Sequence, residues 1–221
     1  MEQEPRIYVY KMCVDNGGAP CVWRGRLSLA ICKGVIRRKA GVGSIIFGFA
    51  AKELSRDERL LYIAVVTEKP PIGDYYRNSR YAKRPDCIYK LGEDKKTAER
   101  RKTAKYHTES DERKRDVGME FEGANVLLSD NFRYFGENGN ADYKEKYPKI
   151  EVVVESLKQG HRVNHCENLR DELLHLKQEI WQKYPKRKKL GNPTTSDRRG
   201  ICNHPNPSIS CQSPPRKRGQ S

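Results

Sequence analysis

No apolar run in this 221-residue chain approaches the ~20 residues that a helix needs to cross a bilayer. The short motifs that announce common chemistries are missing too. There is no Walker loop, no G-x-G-x-x-G after a strand, no G-x-S-x-G elbow and no H-E-x-x-H. These absences argue against the usual designs for nucleotide hydrolysis and dinucleotide-dependent chemistry, and no cofactor is expected. C-x-x-C pairs are also lacking, and Cys166, Cys202, His204 and Cys211 follow no common zinc spacing, so no metal is expected. Seven cysteines, an odd number, are scattered along a chain whose opening MEQEPRIYVYKMC lacks the basic-then-apolar order of a secretory leader. The expectation is a cytoplasmic protein with reduced thiols and no membrane association.

Acidic residues are under-represented: 29 Asp and Glu face 44 Lys and Arg, a net charge of +15. A soluble basic protein attracts polyanions, so nucleic acid or a modified nucleotide is the expected partner. The excess is uneven, since Pro185 to Ser221 carries +8 and Lys90 to Asp116 carries +3, leaving +4 for the remainder. Residues 1–184 read as one domain with a charged insertion at about 90–116, too poor in large apolar residues to add much core. Residues 185–221 read as a basic, disordered tail, either adding salt-dependent affinity for nucleic acid or serving as a solubilising end or address signal.

The pattern predicts an α+β fold: a small, mostly antiparallel, barrel-like sheet with flanking helices and a C-terminal amphipathic helix. RIYVYKMC is a strand with two largely apolar faces, Ile7, Val9 and Lys11 on one and Tyr8, Tyr10 and Met12 on the other. GVGSIIFGFA and RLLYIAVVTEK form an antiparallel hairpin. IEVVVESL suits a helix or a strand. Leu169, Leu173, Leu176, Ile180 and Tyr184 recur at helical spacing and predict one amphipathic helix.

The most distinctive stretch is Asp15 to Arg38, which packs a glycine turn, Trp23 on a loop, Cys32 and five basic residues into a short span. Lys33, Arg37 and Arg38 would share one helical face, suited to phosphate. Cys32 is a candidate nucleophile if a base reaches it, with His161 or His165 the candidates; it also suits a small buried hydrophobe. Tyr75, Tyr76 and Tyr81 alternate with Arg77, Arg80, Lys83 and Arg84, a pattern that suits base stacking and equally a helix packed on the core. Asp15 and Glu68 are carboxylates able to read a base edge, or strand-end groups paired to a surface arginine. Arg133 and Phe135 belong either to that site or to the core.

The order D-x-G-x-A-P, W-x-G, L-S-L-A-x-C-K-x-x-I-R-R, L-x-Y-x-x-x-V-T-E with a downstream Y-Y, DCIY, VLLS-x-x-FRYFG and GHR resembles the nucleotide modification associated domain, type two, of bacteria and phages. The resemblance runs from about Arg6 to Tyr184. By position it carries Asp15, Gly17, Ala19, Pro20, Cys32, Lys33, Arg37, Glu68, Arg133 to Gly136, His161 and Arg162 onto the family's motifs, with Gly34 and Ser44 departing from them. It implies recognition or processing of modified nucleotides, either by a binding protein, by an enzyme working through Cys32 or the carboxylates, or by a phage or defence interaction protein without its own nucleic-acid site. A fold-level analogy links the layout to PUA, EVE and ASCH-like barrels that hold an extruded base. On this reading Trp23, Tyr75 or Phe135 stacks on the base, Asp15 and Glu68 read its edge, and Lys33, Arg37, Arg133, His161 and Arg162 complete the pocket.

Overall fold

The computed structural model describes residues 4–107, 110–158 and 160–195. The chain runs through β1 (Ile7–Met12), β2 (Cys21–Trp23), β3 (Arg26–Leu29), α1 (Gly34–Lys39), β4 (Ile45–Ala50), β5 (Leu60–Val65) and α2 (Asp74–Arg77). It continues through β6 (Tyr89–Leu91), β7 (Ala98–Arg100), α3 (Ser110–Asp116), β8 (Leu127–Ser129) and β9 (Asn131–Tyr134). The last described elements are α4 (Tyr143–Lys146), α5 (Pro148–Ser156), β10 (His161–Arg162) and α6 (Glu167–Lys183). The fold is mixed α and β.

Five strands form the central sheet in the order β10-β1-β4-β5-β9. β1 and β4 are parallel, and the chain between them crosses over through β2, β3 and α1; the other three pairings are antiparallel. The period-two pattern of β1 explains why the sheet is central. Ile7 and Val9 enter a core with Phe47, Ile63, Leu169, Leu173 and Leu176, beneath α5 and α6. Tyr8, Tyr10 and Met12 enter a second core on the opposite face, with Leu29, Ile36 and Tyr62. Two covered faces require two apolar sides, which is what the sequence of β1 supplies.

The expected barrel is corrected by this topology. The central sheet stays open, bounded by β10 and β9, while β2-β3-β8 and β6-β7 are separate sheets. A sheet with helices on one face and α1 with the second sheet on the other is already closed off from water without curling on itself.

Two further expectations change. Residues 185–195 are ordered: Leu190 N–H donates to Tyr134 O and Tyr134 N–H to Lys188 O, both at 2.8 Å, so the segment covers the outer edge of β9. An edge strand's unpaired backbone groups, plus Leu190 against the first core, outweigh the polar composition that argued for disorder. Residues 196–221 lie outside the described set. The 90–116 stretch also contributes to the interior, because its few apolar side chains, Ala98 and Tyr106 among them, enter a third core with Tyr75, Tyr76, Tyr81, Tyr89 and Phe121. α5, ambiguous in sequence, is a helix started by Pro148 in its first turn, with Ile150, Val153 and Val154 buried.

Candidate active site

β3 delivers the chain to Ala30 and Ile31, both buried, and then to a sharp turn at Cys32 and Lys33 before α1 begins. Both turn residues are left-handed, with φ of 55° and 44°. Neither is glycine, and holding such residues there costs on the order of 1 kcal/mol or more each, so the surroundings must impose it. They do. The Cys32 backbone N–H donates to Asp116 Oδ1 at 2.8 Å, and the Cys32 carbonyl accepts from Arg37 Nε at 2.6 Å. Arg37 is fully buried and spends its remaining donors on the carbonyls of Asn125 (2.7 Å) and Asp116 (2.9 Å). The turn is therefore locked to the end of α3.

The lock brings three side chains into line. Cys32 Sγ lies 3.1 Å from His107 Nε2, and His107 Nδ1 lies 2.5 Å from Asp116 Oδ2. The same carboxylate oxygen accepts from the Tyr89 hydroxyl at 2.9 Å, and Arg37 stands 3.7 Å from its Oδ1. A carboxylate that gathers these donors acts as an acceptor, which places the imidazole hydrogen on Nδ1 and leaves the Nε2 lone pair facing the thiol. His107 is itself left-handed, with φ of 50°. Asp116 and His107 are buried, whereas Cys32 is partly open to solvent. A nucleophile on a strained strand-to-helix turn, a base in hydrogen-bonding reach and a carboxylate orienting that base are the parts that thiol catalysis needs.

Beside this site lies the Asn16–Gly18 turn. A Cβ on Gly18 would come within 2.9 Å of the Tyr106 ring, and the Tyr106 hydroxyl donates to Asn16 O at 3.4 Å. Glycine thus lets the turn sit flat on the residue preceding His107.

Of the residues singled out in sequence, Cys32, Lys33 and Arg37 meet here, Arg37 as a buried clamp. His161 on β10 stands opposite Tyr10 and close to Lys33. Asp15 is buried beneath residues 185–195, accepting from Tyr134 Oη (2.7 Å), Thr194 N (3.1 Å) and Thr194 Oγ1 (3.0 Å). Burial lifts its pKa above the ordinary carboxylate range despite those bonds. Trp23 ends β2 at a tight turn with Arg24 and Gly25, both at positive φ, and its ring lies under the guanidinium groups of Arg24 (4.4 Å) and Arg84 (5.7 Å). Glu68 pairs with Arg26 and Arg80. Tyr75 is wholly buried, donating to Asp86. Arg133 donates to the carbonyls of Phe132, Tyr184 and Pro185 and lies 4.5 Å over Trp181, and Phe135 packs on Tyr184. Arg162 is exposed, bonded to Asn164 O.

His107 and Asp116 escaped the sequence reading, which looked for a base at His161 or His165; His165 instead bonds to Ile7 O. Their only signal is a histidine and an aspartate inside a charged run. Among the described residues no group of three or more His, Cys, Asp or Glu is arranged to hold a metal ion, and Cys202, His204 and Cys211 lie outside them.

The family described as nucleotide modification associated domain 2 matches residues 4–198. The chain belongs to this family. Comparison with curated proteins and with solved structures gives no match. The nucleotide modification associated domain 2 match includes Cys32, His107 and Asp116, and it runs through the 185–195 segment that seals β9. No helix among the described residues is long and apolar enough to cross a membrane.

Proposed function

We propose that the chain is a thiol-dependent enzyme of nucleotide modification, with Cys32 as nucleophile, His107 as general base and acid, and Asp116 as the group that orients and charge-balances the imidazole. The observation that carries this reading is the unbroken line from Sγ to Nε2 at 3.1 Å and from Nδ1 to the carboxylate at 2.5 Å. The chemistry that suits it is acyl transfer on a nucleotide or nucleobase bearing an amide or ester. His107 takes the thiol proton as the S–C bond forms, and the resulting imidazolium returns that proton to the departing nitrogen or oxygen. Water, deprotonated by His107, then cleaves the thioester to release the acid and restore the thiol.

Incubating the protein with N-acyl and O-acyl nucleotide derivatives and reading the Cys32 peptide by mass spectrometry tests this. A hydroxylamine-sensitive acyl mass on Cys32, lost in Cys32→Ala and in His107→Gln, is the expected result. Turnover of any such derivative that survives Cys32→Ala would overturn it.

A second reading, recognition of nucleic acid, draws support from Trp23, partly exposed and stacked by Arg24 at 4.4 Å, in a chain of net charge +15. Such a platform would meet bases and phosphates together. Fluorescence anisotropy on modified and unmodified oligonucleotides tests it. Binding weakened at least about fivefold by Trp23→Ala is expected, and binding unchanged by that substitution would count against the platform.

A further inference from the structure

Around Lys33 and the Tyr10 ring lies a group of side chains that the triad does not use. Lys33 follows the nucleophile directly, and its ammonium lies 4.7 Å from the centre of the Tyr10 ring. Its hydrogen bond is a long one, 3.5 Å to Lys11 O, and it forms no carboxylate pair among the described residues. Tyr10 itself is close enough to both Cys32 and Asp15 to feel their charge. Opposite Tyr10 stands His161, half-buried, whose imidazole is held below its ordinary pKa by burial and by the Lys33 ammonium. The Tyr8 ring packs 5.8 Å from the His161 ring; Tyr8 is fully buried and its hydroxyl has no hydrogen-bond partner. Arg6 adds a further cation, 5.9 Å from the Tyr8 ring.

This is an unusual collection. A buried hydroxyl left unpartnered costs roughly 1–3 kcal/mol. The neighbouring Lys33 ammonium adds to the cost of charging His161. One anionic group would answer all three, accepting from the hydroxyl and the imidazole and neutralising the ammonium.

We propose that Lys33, His161 and Tyr8 form a binding site for a phosphate group of the substrate, placed beside the Cys32 thiol so that the phosphate anchors the nucleotide while its acyl substituent meets the nucleophile. The substrate class follows from the catalytic reading above, on which this inference rests. Lys33 and His161 are binding and positioning residues here, with no proton to move in the reaction.

The test uses the full chain and follows alkylation of the Cys32 peptide by mass spectrometry with two reagents, neutral iodoacetamide and anionic iodoacetate. The ratio of the iodoacetate rate to the iodoacetamide rate, normalised to the same ratio at exposed Cys166, isolates the attraction of the site for an anion. We expect that ratio to be about tenfold higher at Cys32. It should collapse in Lys33→Gln and fall in His161→Gln, and it should survive in Lys33→Arg, which keeps the charge. Millimolar inorganic phosphate should slow alkylation of the native protein and not of Lys33→Gln. A nucleoside monophosphate and a single-stranded oligonucleotide, compared for the concentration that protects, distinguish a free nucleotide from a polymer as the source of the phosphate.

A normalised ratio near one with no protection by any phosphate would overturn the site, even where fast, His107-dependent reaction with iodoacetamide upholds the triad. Conversely, slow reaction with iodoacetamide would remove the triad, while a raised ratio and phosphate protection would still establish the anion site.

Discussion

The Arg37 guanidinium donates through Nε to the carbonyl of Cys32, 2.6 Å away, so the Cys32 backbone is held by a side chain from the helix that follows it. This reverses the natural reading of a basic helix. Lys33, Arg37 and Arg38 share a face in sequence, yet Arg37 is wholly buried and serves three backbone carbonyls.

Replacing Arg37 should therefore damage the fold rather than ligand affinity. Arg37→Ala removes the donors to three backbone carbonyls and the cation beside the Asp116 carboxylate, and a loss of about 3 kcal/mol or more is expected by urea denaturation. An unchanged midpoint would show that the side chain lies at the surface.

Asp116→Asn tests the orientation of the base. An amide facing Nδ1 forces that nitrogen to accept, moves the imidazole hydrogen to Nε2 and points a donor at the thiol. Alkylation of Cys32 near neutral pH should slow on the order of 10²-fold, while His107 remains in place by NMR.

Asp15 governs the docking of residues 185–195. Its folded-state pKa is raised by burial, so the docked state favours the protonated form. That contribution is fully present below the ordinary carboxylate range and declines as pH rises through the raised value. Hydrogen exchange at the Leu190 and Thr195 amides, corrected for intrinsic rates, should report tighter docking below the ordinary carboxylate range than at neutral pH. Asp15→Ala should weaken protection there by about 1–2 kcal/mol and leave β4 unaffected.

Glu58 has the opposite sign. Its side chain is fully buried, which pushes the pKa up, but hydrogen bonds from Lys11 (2.6 Å) and Lys144 (3.1 Å) outweigh burial and hold it below the usual range. Stability from this group is present above the ordinary glutamate pKa and is lost as pH falls through the folded-state value. Glu58→Gln should lower stability at pH 7 and flatten the acid limb of the stability profile, read as Tm against pH.

Much of the scaffold was legible because its signals are local. The two-sided apolar pattern of β1, the β4–β5 hairpin and the leucine stripe of α6 each follow from side-chain period, and the match between period and environment is what the three cores show. Cys32 stood out for the same reason, a thiol between an apolar strand and a basic helix. Its partners did not, because His107 and Asp116 sit 75 and 84 residues away in sequence and inside a run whose composition argues for solvent. Nothing in that run distinguishes Asp116 from its acidic neighbours until α3 brings it to the turn. The 185–195 segment was hidden for a related reason: its docking depends on the free edge of β9 and on Asp15, and a basic, proline-containing composition carries no trace of either.

Whether His107 activates Cys32 is read from the pH dependence of Cys32 alkylation by iodoacetamide, resolved at the peptide level. Reaction at pH 6 should be at least about tenfold faster than at exposed Cys166, with the advantage abolished in His107→Gln. A Cys32 rate that follows an ordinary thiol titration near pH 8.5 and is indifferent to His107→Gln would contradict it.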